Sequence, residues 1–134
     1  MDDAQKIALA AFLFERLDTA VRIQQCGDKL DHWTPEPGRC HENVALWIKL
    51  HPSHRPIRGW LYAPYLTTTD TARFLSHSIV ETETGELMDV TLPSNEWAHP
   101  FIRHEGSEDE FLELIRNNGT PWLDHRIEGT LGSL

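Results

Sequence analysis

Three apolar segments in close succession, IRGWLYAP (57–64), RFLSHSIVE (73–81) and LMDVTL (87–92), constrain the fold more than anything else in this 134-residue chain. Each is rich in the β-branched and aromatic residues that suit a pleated, half-buried surface, and each is bounded by proline, glycine or polar turn signals. Between the second and third lies only TETGE, which is enough for a turn, so the two segments must return on each other as an antiparallel hairpin. PFIRHE (100–105) adds a short fourth strand, and the polar TTTDT (67–71) reads as the loop between the first two.

Helical periodicity flanks this β-rich centre. Ala10, Leu13, Phe14, Leu17 and Val21 fall on one stripe of a 3.6-residue helix, which predicts a helix from about Asp3 to Gln25, capped by Gly27. Residues 28–39 are a loop, because two prolines and a glycine within four residues cannot continue a helix. A second helix starts at Cys40 and stops before Pro52. The third is SEDEFLELIRNNG (107–119), with Ser107 and Glu110 spaced as a capping box and Gly119 just past its end. Two helices, three or four antiparallel strands and a closing helix describe an α+β fold, and the chain length suits one domain over 1–134.

The apolar run IALAAFLF (7–14) is expected to be core rather than a leader or an anchor. Aspartates stand where a signal peptide carries basic residues, and the run is far short of the ~20 residues of a membrane span. The formal charge of −9 leaves no basic stripe for phosphates, so neither nucleic acid nor an anionic membrane is an expected partner. Two cysteines, Cys26 and Cys40, form no CxxC pair and no disulfide framework, which fits a reducing, cytoplasmic setting.

Cys40 is the residue around which chemistry can be built. Counting from it, Val44, Trp47, Ile48 and His51 share its side of the helix, so the thiol faces the interior. Its place at the helix start puts it among backbone N–H groups that lack intrahelical partners, which lower a thiol pKa and can hold an oxyanion. Among eight histidines, His77 stands out inside an apolar strand, and Asp89 is the corresponding oddity in the next strand. If the hairpin loop is the odd-numbered 83–85 with Gly85 left-handed, both side chains leave the same sheet face, opposite or diagonal, and the carboxylate can orient the imidazole. A zinc site on the same helix is excluded, since Cys40 and His51 are about 16 Å apart along it.

A cysteine heading a helix (GRCHENV), a histidine on a later strand (SHSIV) and an acid on the next (LMDVTLP), in that order, resemble the papain-like cysteine hydrolase superfamily. The Cys, His, Asp set is similar to its transglutaminase-like and arylamine N-acetyltransferase-like branches. Small size and close His-to-Asp spacing are similar to its bacterial cell-wall amidase and peptidase branch. The resemblance covers residues 38–92. It implies a minimal papain-like fold, a Cys40, His77, Asp89 catalytic triad, a peptide or other amide-containing substrate, proteins included, and no metal or organic cofactor. The glutamine that completes the oxyanion hole in papain has no counterpart between Asp28 and Arg39, and the tryptophan that follows the cysteine there is His41 here.

The sequence therefore nominates Trp33, Asn43 or a second backbone N–H as the missing donor. Arg39 and Arg58 are candidates for binding a substrate carboxylate. Trp33, Trp60 and Trp97 could wall a cleft, or simply pack the core. The expected function is cysteine-dependent acyl transfer, with hydrolysis by a peptidase, amidase or deamidase favoured. The alternative is a non-catalytic binding or regulatory module on the same fold, with the three residues as a structural hydrogen-bond cluster.

Overall fold

The computed structural model describes residues 2–63 and 70–127, so most of the predicted 67–71 loop lies outside the described residues. Helix α1 (Asp3–Glu15) is followed by a 3-10 turn (Leu17–Thr19) and two short strands, β1 (Val21–Arg22) and β2 (Gln24–Gln25). Then come α2 (Cys40–Leu50), β3 (Arg55–Tyr62), β4 (Thr71–Glu81), β5 (Leu87–Asp89), β6 (Pro100–Arg103), α3 (Glu108–Asn118) and β7 (Trp122–Arg126). The described chain is thus a mixed helix-and-sheet protein of the α+β class. No helix among the described residues is long and apolar enough to cross a membrane.

The sheet order is β1-β6-β3-β4-β5-β2, with β7 also paired to β4; all pairings are antiparallel except β2 with β5. Alternation along β4 assigns the two faces. Phe74 joins Ala10, Leu13, Trp60, Ile102, Phe111 and Leu123 under α1 and α3, and Val80 joins Val44, Trp47 and Val90 under α2. On the opposite face Ile79 packs with Ile23, Ile57, Leu61 and Phe101. All three helices therefore cover one side of the sheet.

The first helix is ten residues shorter than its apolar stripe predicts. Asp2 and Gln5 close a capping box at its start, and the Arg16 N–H bonds back to Leu13 and Phe14 at its end. Beyond it the pattern changes period: Val21 is exposed while Ile23 is buried in the core of the far face. The β-branched Thr19, Val21 and Ile23 lose rotamer freedom in a helix, and ladders with Phe101 and Met88 satisfy the backbone instead. Gly27 is accordingly no helix cap. A Cβ there would sit 2.6 Å from the Thr91 carbonyl oxygen, so glycine allows the chain to lie against the 90–92 turn. Strand β7 is a further element that the sequence reading lacks.

In α3 Ser107 accepts from the Glu110 N–H and Gly119 takes the left-handed conformation, φ 82°, as predicted. The Glu110 side chain turns instead toward His104, 3.4 Å away.

Gly59, opposite His77 in the β3–β4 ladder, is the second close approach. A Cβ would fall 2.3 Å from the Ile102 carbonyl oxygen and 2.5 Å from the Phe101 ring. Backbone cannot yield cheaply on one side, so Gly59→Ala should lower the unfolding free energy by about 1–3 kcal/mol, read as a fall in urea midpoint at unchanged m-value.

Candidate functional site

The site occupies a gap in the sheet. The outer edge of β4 is shared between β7, which pairs with residues 71–75, and β5, which pairs with Val80 and Glu81. Between those ladders Ser76 turns both backbone groups outward: its N–H donates to the Pro121 carbonyl at 2.8 Å, and its C=O faces the Cys40 Sγ at 4.0 Å. The first turn of α2 enters this opening. It is placed there by the 35–38 segment, whose Gly38 is left-handed at φ 73°, and by Val44 and Trp47, which anchor the helix on Val80 and Val90.

His77 reaches the opening from the face away from the helices. The hairpin loop is the three-residue 83–85 with Gly85 at φ 88°, and the Thr82 N–H donates to the Glu86 carbonyl at 2.8 Å. The Val80↔Met88 register then puts Asp89 opposite Ile79, one diagonal step from His77 on the same face. The His77 Nε2 lies 2.6 Å from Asp89 Oδ2. Asp89 Oδ1 accepts from the N–H groups of Thr91 and Leu92, both at 2.9 Å. Both side chains are buried, and the Phe101 ring stands edge-on to the imidazole at 6.4 Å.

His77 and His41 are the two imidazoles whose influence reaches the Cys40 thiol. Because Nε2 of His77 is held by Asp89, Nδ1 is the nitrogen left for sulfur. His41 comes from the helix side, with Nδ1 2.6 Å from Ser78 Oγ and Nε2 3.3 Å from Ser76 Oγ. Burial alone would raise the Cys40 pKa, but hydrogen bonds from His41 and His77 and their charge outweigh it and bring it down from 9.0 to about 6. Burial would likewise depress His77, yet Asp89 and then the Cys40 thiolate push it up to about 10. Cys26 behaves in the opposite way: burial, then Asp89 and Asp28, raise its thiol. Its S–H donates to the Asp89 carbonyl at 3.4 Å.

Cys40 is half-buried and lines a cleft of about 660 Å³, walled on the far side by Leu112 and Ile115 of α3. This leaves Cys40 open to the cleft. Among the described residues no group of three or more His, Cys, Asp or Glu side chains is arranged to hold a metal ion.

Of the six side chains nominated for substrate contacts or cleft walls, Trp33, Arg39, Asn43, Trp60 and Trp97 do not line this cleft, and Arg58 does. Trp33 packs edge-on against Trp47 and donates to the Val90 carbonyl at 2.8 Å. Asn43 is buried and fully engaged: it accepts from the Glu36 N–H at 3.1 Å and donates to the Glu36 carbonyl and Thr91 Oγ1. Both brace the segment before α2 rather than offer a free N–H to an oxyanion. Arg39 is exposed beside Glu36 and Glu42, at 3.6 and 3.7 Å. Trp60 is core, edge-on to Phe111 at 5.4 Å, and Trp97 is an exposed ring under the Arg22 guanidinium. Arg58 does reach the cleft, but its guanidinium is held by Glu108 and Ser78.

In their place His41 and Ser76 line the cleft, with the buried Ser78 behind His41, and sequence reasoning gave none of the three a part in substrate contacts. A signal existed: two serines flank His77 in FLSHSIV, and hydroxyls on the buried face of an apolar strand require partners. With this geometry in hand, comparison of the chain with protein-family models, with curated proteins and with solved structures finds no match.

Proposed function

We propose that this protein is a cysteine-dependent acyl-transfer enzyme, foremost a hydrolase of an amide, ester or thioester in a peptide or protein, working in a reducing compartment such as the cytoplasm. The observation that carries this reading is the buried His77, held by Asp89 through Nε2 at 2.6 Å, acting on a Cys40 thiol that lines an open cleft and helping to lower its pKa to about 6. Cys40 attacks the carbonyl carbon as the thiolate. His77 then protonates the leaving group and later takes a proton from the water that releases the acyl group, while Asp89 fixes the ring. A nucleophile heading a helix packed on an antiparallel sheet that carries the histidine and the acid supports a minimal papain-like architecture. Both cysteines are free thiols, in keeping with the proposed compartment.

The test is the pH profile of alkylation by iodoacetamide, followed separately at the two cysteines by peptide mass mapping. Cys40 is expected to titrate with a midpoint near pH 6, the rate falling as pH drops through that value because the thiolate protonates. Its imidazolium partner persists to about pH 10, so the plateau should span the interval between. Cys26 should react only in alkaline solution. A Cys40 midpoint at or above the ordinary ~8.5 would make the thiol core packing and leave the binding-module alternative in possession of the site.

A further inference from the structure

The proposed reaction leaves one imidazole in the site without a part to play. His41 lines the cleft together with Cys40 and has partners at both ring nitrogens. Its tautomer can be worked out from those partners. Ser78 is fully buried, and its Oγ accepts from Arg58 Nη1 at 2.8 Å. A guanidinium has no lone pair to offer in return and a buried hydroxyl hydrogen needs an acceptor, which in the neutral ring of His41 is Nδ1. Arg58 is itself fixed by Glu108 at the start of α3, with nitrogens 2.6 and 3.2 Å from Oε1. This series of bonds from Glu108 through Arg58 and Ser78 leaves the hydrogen of His41 on Nε2, which rests 3.3 Å from Oγ of the cleft-lining Ser76.

We infer that His41 is a second catalytic imidazole, whose Nε2–H supplies the side-chain donor of the oxyanion hole alongside the backbone N–H groups of the first turn of α2. The inference rests on the acyl-transfer reading above. As the thiolate forms its S–C bond, the carbonyl π pair moves onto oxygen, and Nε2–H shares its hydrogen with that oxygen without transferring it. When the C=O bond re-forms, the leaving group departs with the proton of His77, and His41 is unchanged. The Ser78 hydroxyl donating to Nδ1 is what keeps His41 a donor at Nε2, so the two imidazoles divide the work: His77 moves protons and His41 only polarises.

The experiment compares two reactions of the full chain. Acetylation by p-nitrophenyl acetate, read as the p-nitrophenolate burst, passes through an oxyanion; alkylation by iodoacetamide attacks a saturated carbon and does not. Each variant is measured at the pH of its own alkylation plateau. His41→Phe, which retains a ring for packing on Phe111, should lose about 100-fold in acetylation beyond any loss in alkylation. His41→Gln, which keeps an N–H near the Nε2 position, should regain most of that difference. Equal losses in the two reactions would reduce His41 to a thiolate partner and overturn the inference, as would unimpaired acetylation in His41→Phe. An unreactive Cys40 in the unaltered protein is a separate outcome, which removes the acyl-transfer reading itself. The tautomer is read without any variant from long-range proton–nitrogen NMR correlations of the His41 ring: a hydrogen on Nε2 and none on Nδ1 is expected, and the reverse overturns the inference.

Discussion

His77→Gln is expected to slow acyl-enzyme formation by about 10³-fold while the protein stays folded, and to move the alkylation midpoint of Cys40 upward from about pH 6 toward the ordinary thiol range. Glutamine can still donate to the buried Asp89 carboxylate, but it can neither hold a proton for the leaving group nor take one from water. His77→Ala goes further, because Asp89 is then left buried without its partner. That change should cost about 3–5 kcal/mol of stability, measured by urea denaturation. The rate of alkylation at a single pH is a poor reporter in either variant. A rise in pKa from about 6 to 9.0 lowers the thiolate fraction at pH 7 about ninety-fold. The more basic thiolate is about fifteen- to thirty-fold more nucleophilic at a Brønsted slope of 0.4–0.5, which cancels much of that loss. The midpoint is free of this compensation. If it stays near pH 6 in His77→Gln, His77 is not the partner that stabilises the thiolate.

The pairing of His77 with Asp89 was legible because it depends on local counting. A three-residue hairpin loop fixes the register, and the two-residue period of a strand then fixes the face. The same logic placed Cys40 in the first turn of its helix, where the 35–38 segment ends. What counting cannot show is which element covers a face. Trp33, Asn43 and Trp60 each carry a polar N–H that suits a cleft, yet each side chain is spent on packing or on bracing the backbone. The gap between β5 and β7 that admits Cys40 requires β7, whose ladder with β4 spans some fifty residues of sequence. Its alternation in WLDHR is short, and only Leu123 is fully buried. The extension of α1 failed for a related reason: period-3.6 and period-2 patterns overlap at Leu17 to Ile23, and long-range pairing with Phe101 and Met88 decides between them.

Asp89→Asn should separate the two jobs of this carboxylate. Oδ1 accepts from the N–H groups of Thr91 and Leu92, and Oδ2 accepts from His77. An asparagine can keep the turn only by presenting its single oxygen to those two backbone donors, since the opposite orientation sets an NH₂ against them. Its NH₂ therefore faces His77 Nε2 as a donor. The imidazole must then accept there and carry its hydrogen on Nδ1, toward the thiol, where it can no longer act as a base. Acetylation by p-nitrophenyl acetate is expected to fall by up to the ~10³-fold of His77→Gln, with an alkylation midpoint well above pH 6 and a urea midpoint close to that of the unaltered protein. Asp89→Ala should instead lose stability as well as activity, because two N–H groups lose their acceptor at about 1–3 kcal/mol each. If Asp89→Asn acetylates within a few-fold of the unaltered protein, the carboxylate braces the turn and nothing more, and the orientation of His77 must come from the Phe101 ring and the strand itself.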